Sequence, residues 1–208
     1  MEDRESHMPY EGAGFLLKHG GRFILGVRVK KPDDTDKTPE VEYAGGKVDL
    51  ADGNRPAKTA ENELIEELGT RILDADWEQR AVIRHTYQPF TKKWIWCFEL
   101  ELRNTELQRV IDADSVLRLW NPAETRDFTV LTGRSEPSRK ALAEIVSASV
   151  RDFTQLLGEF HAIPASANRM SDAKKFTGKL PVVNLDGTGQ REYRIRAFNM
   201  VIFEEHFL

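Results

Sequence analysis

Apolar and polar positions change rhythm several times along the chain, and each change marks an element. Residues 14–17 and 23–29 are apolar runs separated by His19-Gly20-Gly21, which predicts two strands joined by a tight turn. Residues 30–40 are charged and contain prolines, and so read as an exposed loop. Ala57, Ala60, Leu64 and Leu68 recur at helical spacing between Pro56 and Gly69. Proline suits a first helical turn and glycine a closing position, so the helix has both its ends marked. A strand is predicted over about 78–87, a loop over 88–92 and a strand over 93–102. In that last strand Trp94, Trp96, Phe98, Leu100 and Leu102 alternate onto one face, and both tryptophans read as core.

Residues 103–114 read as a short helical or irregular connection and 116–120 as a further strand. Leu142, Ile145, Val146, Val150, Phe153, Leu156, Leu157 and Phe160 predict a long amphipathic helix over 135–160. Residues 164–179 are mostly polar, a surface excursion. Residues 181–185, the turn Asp186-Gly187-Thr188-Gly189 and residues 193–203 read as a β-hairpin. This order predicts an α/β chain, a mixed sheet with helices on both faces, and it shows no internal repeat.

At 208 residues the chain can bury one full core, a domain over 1–160 with an extension, 161–208, packed on or continuing it. The extension is expected to serve structure or a homodimer contact before substrate. The net charge of −4 argues against a general nucleic-acid binder, although capped RNA stays open as a substrate. A single cysteine, Cys97, excludes an intramolecular disulfide and agrees with a reducing compartment. The acidic start is unlike a signal peptide and no apolar run reaches membrane-spanning length, so the expected location is cytoplasmic.

The helix carries the chemistry. Glu63, Glu66 and Glu67 are spaced i, i+3, i+4 and stand on one face about one turn apart. Three like charges there destabilise a helix unless a cation sits among them, and hard carboxylate oxygens suit Mg²⁺ or Mn²⁺. The alternative is a solvated face made of Glu61, Glu63, Glu66 and Glu67. The preceding loop, Gly45-Gly46-Lys47-Val48-Asp49, tips the reading toward a site.

The two segments together resemble the Nudix box of the Nudix hydrolase superfamily. Gly46 matches its opening glycine, and Glu63-Leu64-Ile65-Glu66-Glu67-Leu68-Gly69 matches its helical half. The loop around residues 51–55 is longer than the family's. The family's loop glutamate has Asp52 as its nearest counterpart and Asn54 as the ungapped one. Asn62 occupies the arginine position and Thr70 replaces the final hydrophobic residue. An asparagine cannot supply a bidentate cation, so the cluster is either looser or supported from elsewhere in the chain.

The resemblance implies an α/β/α sandwich and metal-dependent hydrolysis of a pyrophosphate bond. The substrate would be a nucleoside diphosphate linked to another moiety, such as a nucleotide sugar or a nucleoside triphosphate. It implies Glu63, Glu66, Glu67 and the Gly46 carbonyl as ligands of Mg²⁺ or Mn²⁺, with Glu66 and Glu63 acting in catalysis. Arg28, ending a strand, and Lys47 are candidate substrate contacts. Glu124, Asp127 and Glu136 are candidate general bases, and Trp120 a candidate aromatic contact. His85 and Tyr87 flank a loop whose Lys92 and Lys93 form either a cationic rim or a solvated turn. A nucleotide-binding module with weak or no catalysis is the alternative, kept open by Asn62 and the longer loop.

Overall fold

The first two apolar runs form a hairpin: β1 (Tyr10–His19) and β2 (Arg22–Arg28) pair antiparallel across Gly20 and Gly21. The computed structural model describes residues 10–29, 38–48, 52–89, 92–121, 124–134, 138–139, 142–163 and 176–207. β3 (Val41–Glu42) and β4 (Ala44–Lys47) follow, then α1 (Pro56–Leu68) and the short α2 (Trp77–Arg80). Next come β5 (Val82–Gln88), β6 (Lys93–Glu101) and α3 (Asn104–Leu119). β7 (Thr125–Arg126), α4 (Thr129–Thr132) and β8 (Ser138–Arg139) are short, and β9 (Leu142–Ser149) leads into α5 (Val150–His161). β10 (Thr177–Val182), β11 (Arg191–Arg196) and α6 (Ala197–Phe207) close the chain.

Seven strands make one mixed sheet in the order β3-β2-β1-β6-β5, with β4 added on β1 and β9 on β2. β1 and β6 run parallel, and the other pairs are antiparallel. Each face of the sheet has its own core, which is what period-two alternation produces when both sides are covered. On one face Phe15, Leu17, Phe98 and Leu100 pack against Ala60, Leu64 and Leu68 of α1 and against Val110, Ala113 and Leu117 of α3. On the other, Phe23, Leu25 and Val27 meet α5, the β10–β11 hairpin and α6. The architecture is a mixed α/β fold compatible with an α/β/α sandwich carrying a C-terminal hairpin.

Four stretches of the predicted order need correction. Residues 77–80 turn as a short helix before β5, so the strand starts at Val82. The connection and strand expected over 103–120 are one helix, α3, whose Val110, Ala113 and Leu117 repeat at helical spacing while Val116 stays exposed. Its first turn is closed by Glu106, which accepts the Arg103 N–H at 2.9 Å. The long helix expected over 135–160 is β9 followed by α5, and Ser149 makes the break by accepting the Arg151 N–H at 3.1 Å. A strand buried on both faces shows no alternation, so its apolar run merged with that of the helix. Finally, residues 197–203 do not extend the hairpin but begin α6, whose Met200, Val201, Ile202 and Phe203 are all buried.

The extension is tied into the sheet. Ser147 of β9 and Val183 exchange both backbone hydrogen bonds, at 2.8 and 2.9 Å. Glu144 on β9 accepts from Tyr193 and from Arg191 at 3.2 Å, and it pairs with Arg118 of α3 at 2.8 Å. Most of the polar stretch 164–179 lies outside the described residues. Glu40, expected in an exposed loop, is buried and faces Arg196. No described helix is long and apolar enough to cross a membrane.

Candidate functional site

α1 is a helix with its charges in the wrong place. Pro56 occupies its first turn, Gly69 closes it in the left-handed conformation (φ 75°), and the Gly69 N–H reaches Ile65 O. No acidic residue lies in the first turn and no basic one in the last. Glu66 and Glu67 instead stand at the C-terminal end, where the helix dipole disfavours anions. Glu63 lies one turn before them, so like charges crowd one face. A surface this unfavourable locally is the kind of inconsistency that functional sites carry.

Arg134, from the loop after α4, resolves part of the repulsion. Its Nη2 meets Asp52 Oδ2 at 2.6 Å, and its Nη1 meets Glu63 Oε1 at 2.8 Å and Glu66 Oε1 at 3.0 Å. Asp52 is buried and also accepts from Thr59 at 2.9 Å and from Asn62 at 2.6 Å. Burial raises its proton affinity, but the hydrogen bonds from Arg134, Thr59 and Asn62 outweigh it and hold the carboxyl below the usual range. Asn54, the ungapped alternative, is exposed with positive φ. Asp52 is therefore the loop acid that joins the helix, and Asn62 serves it as a donor.

Glu63 and Glu67 are in the opposite condition. Burial, then the neighbouring carboxylates, raises the Glu63 pKa against the pull of Arg134. Glu67 rises further: burial comes first, then the charges of Glu42 and Glu63, eased by the Gly45 N–H. Its Oε2 is buried and has no hydrogen-bond partner among the described residues. Gly46 lies against Glu63 so closely that an added Cβ would stand 2.1 Å from Glu63 Oε2. Only glycine lets the strand and the carboxylate approach this way.

The donors gathered here are all hard oxygens, and an orphaned buried carboxylate oxygen is among them. That chemistry fits Mg²⁺ or Mn²⁺. Among the described residues, however, no three acidic, imidazole or thiol side chains already stand as a ligand set, and Arg134 lies between the carboxylates.

Other candidates divide. Arg28 lines a cavity with Glu42, Tyr43 and Gly45 beside the acids. Lys47 is exposed at the end of β4, without an ion-pair partner among the described residues. Asp127 accepts the Thr129 N–H at 2.8 Å at the start of α4, and Glu124 is exposed. Asp49 and Glu136 lie outside the described residues. Trp120 is buried under Arg126, 4.6 Å from its ring centre, and is a core residue in place of the expected substrate contact. Trp94 and Trp96 are only half-buried.

Those tryptophans acquire a position from the register. Gly46 pairs Ala13, Ala13 pairs Trp96, and Trp96 pairs His85, so the four share one row and one face. Trp96 and His85 rings lie 4.1 Å apart, and Tyr87 and Trp94 rings 5.4 Å. With strands spaced ~4.8 Å, Trp96 stands roughly 10 Å across the sheet from Gly46.

Glu42 and Arg134 escaped the sequence reading. Glu42 had no pattern to mark it, whereas for Arg134 the signal was Asn62 in the arginine position, which asks for a cation from elsewhere. No model of a known protein family matches the chain, and no curated protein matches it.

Proposed function

We propose that the chain is a Nudix-type pyrophosphohydrolase, dependent on Mg²⁺ or Mn²⁺, acting on a nucleoside diphosphate linked to another moiety. The observation that carries this reading is the convergence of Asp52, Glu63, Glu66 and Glu67 beside Gly46, with Glu67 Oε2 buried and unpartnered among the described residues. Glu63, Glu67 and the Gly46 carbonyl would hold the ion, with Glu66 completing the set or acting on the attacking water. A divalent ion bound there neutralises phosphate oxygens and lowers the pKa of water. Arg134 orients Asp52 and Glu63, taking the part that the family gives to the arginine replaced here by Asn62. The aromatic row of Trp96 and His85 supports a nucleotide as substrate, since every base offers a flat face for stacking.

A second reading has its own observation. Arg134 pairs with three of the carboxylates directly, so the cluster is partly neutralised without metal. This favours a nucleotide-binding module with weak or no turnover. Hydrolysis of a panel of pyrophosphate compounds with Mg²⁺ or Mn²⁺, wild type beside Glu67→Gln, separates the two. Metal-dependent turnover that drops at least a hundredfold in Glu67→Gln is the expected result. Absent turnover with nucleotide still raising the melting temperature would leave the binding module.

A further inference from the structure

A cavity of about 240 Å³ opens at the sheet edge next to the acid cluster. Gly45 forms part of its wall, and the Gly45 N–H is also the one that serves Glu67. Arg28 enters it from the end of β2, and its guanidinium has no hydrogen-bond or ion-pair partner among the described residues. Arg196, at the end of β11, lines it as well. It meets Glu40 Oε2 at 2.7 Å while 49% of its side chain remains exposed. Phe198 and Asn199 are also in the lining, and both belong to the first turn of α6. The positive end of a helix dipole therefore lies at the cavity as well.

The composition of this wall decides what fits. Two guanidinium groups and a helix N-terminus favour an anion, and guanidinium forks match phosphate oxygens. Glu42 opposes an anion, so the ligand is expected against the arginine wall, and Glu40 offsets Arg196 only in part. The volume falls below the ~300 Å³ at which pockets begin to hold a whole drug-sized ligand. It suits one phosphate or pyrophosphate group.

We infer that this cavity binds a phosphate group of the substrate through Arg28 and Arg196, so that the C-terminal extension builds part of the binding site. The assignment of that phosphate to a substrate rests on the hydrolase reading; the anion site itself stands on the cavity. The extension thus has a ligand role beyond the structural or dimer role expected of it. It also supplies a cation that no N-terminal motif contains.

Calorimetric titration of the full chain with inorganic pyrophosphate, in the absence of divalent ions, tests the cavity. Arg28→Ala and Arg196→Ala are each expected to weaken binding roughly tenfold, the scale of one lost charge-assisted contact. Arg196→Lys keeps a charge opposite Glu40 and is expected to recover part of the loss, which guards against a merely unfolded variant. Pyrophosphate affinity unchanged in both arginine variants would overturn the proposal. A parallel Mn²⁺ titration keeps the two ideas apart: wild type that binds pyrophosphate but no Mn²⁺ sinks the hydrolase reading and leaves the cavity standing.

Discussion

Glu67 sits in the last turn of α1, 6% exposed, with Glu63 and Glu66 a turn or less away and Glu42 opposite. Burial and these charges raise its proton affinity in the folded chain above the ordinary value of 4.5. Between that value and the raised one, the unfolded chain has released its proton and the folded chain has kept it. Stability contributed by this group is therefore present at low pH and lost as pH rises through the window. Glu67→Gln is expected to melt higher than wild type at neutral pH without metal, and to flatten the decline with pH. A lower melting temperature at neutral pH would mean that Glu67 is a structural residue. Arg134 is the counterpart. Removing it leaves Asp52, Glu63 and Glu66 without their shared cation, and Arg134→Ala is expected to cost about 2–3 kcal/mol, less than a fully buried pair. Adding Asn62→Arg to Arg134→Ala returns a cation from the helix position and is expected to recover turnover at least tenfold. No recovery, with the double variant folded, would show that Arg134 does more than orient the acids. The partner of Glu63 lies 71 positions along the chain, after a loop without pattern, so no local reading reaches it.

α1 was legible because its signals are local: a proline, a glycine and an apolar stripe mark the start, end and buried face. α3 and β9 were not, because their tertiary surroundings decide. Val116 looks like a strand residue but is exposed on a helix, and the buried residues of β9 face two cores at once. The site divides in the same way. Glu63, Glu66, Glu67 and Gly46 are marked by spacing within one segment, whereas Arg134, Glu42 and Arg196 come to them only through folding. α6 shows how far the extension belongs to the sheet. Phe203 is fully buried, with ring centres 5.1 Å from Phe23 and 4.3 Å from Phe153. Phe203→Ala is expected to cost about 3–5 kcal/mol by emptying that contact. For a chain of this size that lowers the melting temperature by roughly 6–20 °C. A wild-type melting curve would show the extension to be an appendage.

Across the whole molecule, the candidate groups line up across the sheet. Arg28 and Glu42 stand on one flank of the acids, and on the other stands Trp96, two strands from Gly46, with His85 one strand beyond. A nucleotide lying along this row would meet cations, carboxylates and flat rings in turn. Cys97 takes no part, since burial and then Glu99 push its thiol up to about 12. The proposed function requires the carboxylates to hold a divalent cation, for which like charges are crowded on one helix face at the expense of helix stability. The most direct test is a titration of the metal-free protein with Mn²⁺, followed by electron paramagnetic resonance, for wild type and Glu67→Gln together. Saturable binding in wild type, weakened at least tenfold by the substitution, is the expected result. Equal, non-saturating binding in the two proteins would contradict the metal site and the hydrolysis built on it.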